Sequence, residues 1–99
     1  MAKETIRFDA RRKIYQKAIA EYGKTNQAVM LLEEMDELGQ ALIKYVFRGG
    51  SANHVAEEAA DVTIMLEQLV EMYPELENAI SIWMDRKVQR LAERLHTEV

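Results

Sequence analysis

The chain has 99 residues, of which 48% are hydrophobic and 30% charged, with a formal charge of -4 and no cysteine. Such a chain forms one small domain, residues 1–99, and buries roughly 65% of its unfolded surface. The core is thin, and association with a second copy would thicken it. The acidic balance argues against nucleic acid or an anionic membrane as the main partner. The lack of cysteine excludes disulfides, thiolate zinc sites, iron–sulfur clusters and a thiol nucleophile. No apolar run approaches the ~18 residues of a membrane span, and MAKETIRFDARRK lacks the apolar stretch of a signal peptide. A cytoplasmic protein is the expectation.

Breakers are scarce: Gly23, Gly39, Gly49, Gly50 and Pro74. The apolar spacing between them is helical nearly throughout. Helix one is expected from Thr5 or Asp9 to Tyr22, where Gly23 stops it. Helix two is expected from a cap at Thr25 to about Arg48, with Leu31, Met35, Leu38, Leu42 and Tyr45 on one face. Gly49-Gly50 breaks the chain, and Ser51 or Asn53 can cap helix three. That helix carries Val55, Ala59, Val62, Leu66 and Leu69 and ends at Tyr73, before Pro74. Pro74 suits the first turn of helix four, with Glu75 and Glu77 at its positive end. Leu76, Ile80, Trp83, Val88, Leu91 and Leu95 follow. Short loops between long helices imply an all-α fold, an antiparallel four-helix bundle.

Helices two and three repeat a pattern. Leu31, Glu34, Met35, Glu37, Leu38, Ala41 and Leu42 are matched 24 positions later by Val55, Glu58, Ala59, Asp61, Val62, Met65 and Leu66. In each helix two carboxylates stand three residues apart and share a face. With Leu31 at zero on a wheel of about 100° per residue, Glu34 falls near 300° and Glu37 near 240°. Both lie on the flank of the apolar stripe, and Glu58 and Asp61 take the same angles. The Gly49-Gly50 turn folds helix three back on helix two. At ~1.5 Å per residue the two acid pairs are level to within about one turn. Four carboxylates at close range repel and raise one another's pKa. No lysine or arginine lies in this sector between the members of either pair. A hard divalent cation with oxygen ligands, Mg²⁺ above all, would offset the charge. The competing reading is a solvated acidic face, which is the ordinary fate of acids on helices.

Glu33-Glu34-Met35-Asp36-Glu37 reads E-E-x-x-E and Glu58-Ala59-Ala60-Asp61 reads E-x-x-D, separated by one interhelical turn. With the surrounding LLEEMDELGQALIKY and VAEEAADVTIMLEQL, the chain resembles the all-α nucleoside triphosphate pyrophosphohydrolases, the MazG-like group, over roughly residues 14 to 95. The resemblance implies Mg²⁺-dependent hydrolysis of a nucleoside triphosphate to the monophosphate and pyrophosphate, with Mn²⁺ a possible substitute. It implies metal ligands at Glu34, Glu37, Glu58 and Asp61. Glu33 and Glu57 would be outer groups or water-orienting bases, and Glu33 is the catalytic candidate beside Glu34. It also implies a homodimer or a tetramer built from dimers. A basic residue late in the bundle would touch phosphate, and Lys87 is the first choice.

Other residues keep two readings. Lys44 and Arg48 can reach phosphates beyond the metal, or serve as a C-terminal charge pair against the helix dipole. His54 shares the sector of Glu58 and is a ligand or a cap-proximal histidine. Trp83 can stack on a base or fill core or subunit interface. For the nucleoside, helix one and the loop after it offer Tyr15, Tyr22, Asn26 and Gln27, none of them diagnostic. Phosphate loops, dinucleotide fingerprints and nucleophile elbows are absent from the sequence. The rival readings are a phosphoribosyl-ATP pyrophosphohydrolase and a non-catalytic helical module that binds nucleotide or protein.

Overall fold

The computed structural model describes residues 8–98, with side chains from Ala10 onward. Among the described residues the regular structure is entirely helical: α1 (Phe8–Tyr22), α2 (Lys24–Arg48), α3 (Ala52–Met72) and α4 (Glu75–Arg94). The fold is all-α. The possible start at Thr5 lies outside the described residues. No described helix is long and apolar enough to cross a membrane.

The helix ends follow from local chemistry. Only Gly23 separates α1 from α2. Its N–H donates to the Ile19 carbonyl at 2.8 Å, and its carbonyl accepts from Gln27 N–H at 3.1 Å. The backbone completes this turn, so α2 starts at Lys24 with no side-chain cap, and Thr25 lies inside the first turn instead of capping it. At the α2–α3 turn both glycines are required. Gly49 sits at φ 68°, a left-handed conformation that L side chains rarely adopt. A Cβ on Gly50 would lie 3.0 Å from the Lys44 backbone carbon. Ser51 is the α3 cap, its hydroxyl accepting from His54 N–H at 3.1 Å. Pro74 stands at the N-cap of α4, just before the first turn, and Glu75 and Glu77 face the positive end of the dipole.

The most extensive interface joins α2 to α3. Residue numbers pair in opposite directions across it: Gln27 Nε2 donates to Gln68 Oε1 at 2.7 Å, and Glu37 meets Glu58 nearer the turn. The buried or half-buried positions of α2 include Gln27, Leu31, Glu34, Leu38 and Ala41, and those of α3 include Glu58, Val62, Met65, Leu69 and Met72. Both series follow the seven-residue repeat of a coiled-coil seam. Glu34 and Glu58 therefore occupy seam positions that an ordinary helical hairpin fills with apolar side chains. The wheel put these acids on the flank of the stripe. In the structure the packed arc of α2 is centred closer to Glu34 than to Leu31, and the apolar residues Leu32, Met35, Leu42 and Ile43 on the other side of Leu31 remain exposed.

Complementary charge docks α1 on α3. Tyr15, 5% exposed, donates its hydroxyl to Glu67. Arg11 Nε reaches Glu67 at 3.2 Å, and Arg12 Nε and Gln16 Nε2 reach Glu71 at 3.1 and 2.6 Å. The fourth helix behaves differently. Among the described residues α4 approaches α3 alone, and every position from Glu77 to Leu91 is exposed. Its apolar stripe, with Ile80, Trp83, Val88 and Leu91, is left open. The radius of gyration is 16.6 Å, against about 12.6 Å for a compact domain of this length. One chain does not close four helices around one core.

Candidate metal centre

The α2–α3 hairpin brings the predicted acids together. One carboxylate oxygen from each of Glu34, Glu37 and Glu58 lies within 4.8 Å of the others. Glu58 is 8% exposed, Glu34 half-buried and Glu37 exposed, so the cluster opens on the Glu37 side. Asp61 is half-buried and its charge acts on Glu34 and Glu58, but it falls outside that 4.8 Å group.

The electrostatics are unfavourable as they stand. Burial, followed by the charges of Asp61, Glu37 and Glu58, pushes the Glu34 carboxyl above its ordinary range. Burial, then Glu37 and Asp61, pushes Glu58 up likewise, with His54 opposing weakly. Glu34 Oε2 and Glu58 Oε2 are both buried and neither accepts a hydrogen bond from any described residue. No described lysine or arginine pairs with any of the four acids. Buried carboxylate oxygens normally find donors, and a pair without them needs a reason. Oxygen-only ligands that repel one another and converge within a few ångströms form the donor set that hard divalent cations select. These residues could hold a hard divalent cation.

A second group shares Glu58. His54, Glu57 and Glu58 also place one ligand atom each within 4.8 Å, on one face of the first turns of α3. His54 Nδ1 lies 3.9 Å from Glu57 Oε1, and both side chains are well exposed. His54 is the cap-proximal histidine, its backbone N–H completing the Ser51 cap, and its imidazole stands beside Glu57.

The remaining candidates are spread more widely. Glu33 is exposed on α2, next to Glu34 but turned towards solvent. Lys44 and Arg48 lie seven and eleven residues beyond Glu37, about 10 and 16 Å along the helix axis. Both are exposed near the Gly49-Gly50 turn. Lys87 sits 5.9 Å from the Trp83 ring centroid on α4, and no described contact joins α4 to α2. One chain does not bring Lys87 to the acids. Of the nucleoside-contact residues, Tyr15 is committed to Glu67 and Gln27 to Gln68, while Tyr22 and Asn26 remain exposed.

Two features escaped the sequence reading. The buried Gln27–Gln68 amide pair lies one heptad from Glu34, and its signal was a glutamine at a seam position. A groove of about 430 Å³ runs between α1, α3 and the start of α4, lined by Leu66, Val70 and Ile80 with Arg12, Glu71 and Glu77 at its edge. It lies on the side of α3 away from the acids. Leu66 and Ile80 were read as members of two separate helix stripes, and nothing in their spacing joined them into one groove.

Comparison of the chain with families of known proteins, with curated proteins and with solved structures found no match. The likeness to the MazG-like group therefore rests on the acid motifs and their helices.

Proposed function

We propose that the chain is a Mg²⁺-dependent nucleoside triphosphate pyrophosphohydrolase that releases the monophosphate and pyrophosphate. The observation that carries this reading is that Glu34 and Glu58 each keep a buried oxygen without a donor, in carboxylates that each bring one oxygen within 4.8 Å of the other and of Glu37. Solvated acids on a helix face would point their oxygens to water. These two occupy the seam between helices, where an ionised carboxylate is unfavourable at neutral pH unless a compensating charge offsets it.

Glu34, Glu37 and Glu58 would hold the cation, with Asp61 at the edge of the set. When bound, the cation neutralises phosphate oxygens and lowers the pKa of water in reach of phosphorus. The chain's own residues do the rest. Glu33, exposed beside the cluster, accepts a proton from the attacking water. Lys44 and Arg48 steady the phosphates that leave towards the α2–α3 turn. The helices pack as a four-helix bundle completed between copies, as a homodimer or a tetramer of two dimers, which is the setting in which Lys87 would reach a phosphate. The open edge at Glu37 gives the substrate access.

The test is incubation of the protein with Mg²⁺ and each common ribo- and deoxyribonucleoside triphosphate, with the nucleotide products resolved and Glu34→Gln run beside it. Monophosphate plus pyrophosphate, lost in the variant, supports the assignment and ranks the bases. Diphosphate plus orthophosphate refutes the bond assignment. Turnover of phosphoribosyl-ATP alone moves the chain to the rival enzyme class. No turnover, with tight protein binding, identifies the non-catalytic module.

A further inference from the structure

We propose that α4 is an interface with a second copy of this chain, in which two α4 helices pair antiparallel about a two-fold axis near Met84. The distal half of each helix then fills the α1–α3 groove of its partner. This deepens the homo-oligomer reading above and does not depend on catalysis.

Three observations carry it. The first is area. The chain exposes 8128 Å², whereas a monomer of its mass exposes about 5,800 Å². If residues 1–7 and Val99 are granted the full exposure of an unfolded chain, the described remainder still exceeds a monomer of its size by about 1,300 Å². Two copies would bury about 2,600 Å² by removing that excess, within the range of obligate dimers.

The second observation is continuity. Ile80 belongs both to the groove lining and to the open stripe of α4. An antiparallel pair centred on Met84 sets Val88 opposite the partner's Ile80 and Leu91 opposite the partner's Glu77. The apolar distal stripe then lies along the floor formed by Leu66 and Val70. A symmetric pairing of this kind closes on itself and leaves no open edge for further growth.

The third observation is charge. The described α3 carries five acids and no lysine or arginine. The second half of α4 carries Arg86, Lys87, Arg90 and Arg94 against Asp85 and Glu93. None of those four bases forms an ion pair with a described residue; Arg86 and Lys87 lie only over Trp83. The antiparallel pairing carries Arg90 and Arg94 to the groove edge, where Glu71 and Glu77 stand. Glu77 likewise makes no ion pair within the described chain.

The chain has no cysteine, so single cysteines report contacts without background. Met84→Cys, incubated in a glutathione redox buffer, is expected to form a covalent dimer. Phe47→Cys on the outer face of α2, where Phe47 is 78% exposed, is expected to stay uncrosslinked. Sedimentation velocity of the unmodified chain should show a dimer. Leu91→Arg should raise its dissociation constant at least about tenfold, with helicity unchanged by circular dichroism. A dimer that crosslinks through Phe47→Cys but not Met84→Cys overturns the interface while sparing the homo-oligomer. A monomer at tens of micromolar overturns both. Loss of helicity in Leu91→Arg is resolved by Arg90→Glu with Arg94→Glu, a surface change that should also weaken the dimer and whose failure to do so refutes the groove seat.

Discussion

Neutralising Glu34 should make the cation-free protein more stable and the cation-loaded protein less stable. The carboxylate oxygens of Glu34 and Glu37 come within 4.8 Å. Two unit charges at that separation repel by about 0.9 kcal/mol at the dielectric of water and about 3.5 kcal/mol at an effective value of 20. The cluster opens to solvent on the Glu37 side, so the lower end applies, and a gain of about 1 kcal/mol is expected for Glu34→Gln. For a domain of ~100 residues that raises Tm by about 4–8 °C. A ligand at a hundred times its Kd stabilises by about 2.7 kcal/mol, or roughly 10–20 °C here. The unmodified protein should therefore melt below Glu34→Gln in EDTA and above it in saturating Mg²⁺. Scanning calorimetry at matched ionic strength reads both. A Glu34→Gln protein that melts lower in EDTA, or that keeps the full Mg²⁺ shift, would refute the view that Glu34 is a repelled carboxylate awaiting a cation.

The pH profile should have two parts of opposite sign. Glu34 and Glu58 are held above the ordinary 4.5, so the folded chain binds their protons more tightly, and without cation stability rises as pH falls from neutrality towards that range. Glu67 is held down, chiefly by the Tyr15 hydroxyl and then by Arg11, and Glu71 by Gln16 and Arg12. Their contribution is complete above 4.5 and is lost as pH falls through the lowered values. Urea melts from pH 3 to 7 in EDTA should show a maximum, and Mg²⁺ should flatten its neutral side. Tyr15→Phe should cost about 1–2 kcal/mol, because it removes one donor of a half-buried carboxylate and leaves Arg11 as its partner, and should shrink the acid-side loss in the same melts. Gly50→Ala should destabilise by at least about 1 kcal/mol, since its Cβ meets Lys44 backbone at 3.0 Å, and chemical denaturation would read it. Replacing Gln27 or Gln68 alone by leucine should cost about 1–3 kcal/mol by orphaning its partner, whereas the double replacement should be close to neutral; a double-mutant cycle checks this.

The helices and the acid pairs were legible because both are written in short-range periodicity. Glu34 and Glu37 share a face by spacing alone, and Gly49-Gly50 marks where α3 must turn back. The Thr25 cap was misplaced because a single glycine can finish one helix and start the next, and spacing does not reveal when the backbone bonds suffice. The place of Glu34 in the seam was also hidden. A wheel centred on apolar residues finds the middle of the apolar arc, but α2 has apolar residues on two sides, and only the position of α3 decides which side is packed. The position of α4 was hidden for a similar reason. An amphipathic stripe says that a helix needs a partner surface and does not say whose. Leu76, Ile80 and Leu91 read the same whether their cover comes from this chain or from another copy.

The two unusual properties of the chain have one physical root. A domain of this size has few seam positions, and this one gives several of them to Gln27, Glu34 and Glu58, with Gln68 buried beside them. No large side chain among the described residues is completely buried. Apolar residues at those places would each have contributed about 1.5–3 kcal/mol of burial. The hairpin instead carries repelling charge at its centre, and the apolar side chains of α4 stay outside. On the two proposals above, agents that bind only the folded state would supply the missing stability: a cation at the acids and a second copy along α4. Both act by mass action, so the fold should be sensitive to both concentrations. The two effects should be separable, because the acids lie on the α2 side of α3 and the groove on the other. Raising protein concentration should lift Tm in EDTA as well as in Mg²⁺, and Leu91→Arg should remove that dependence while leaving the Mg²⁺ shift in place.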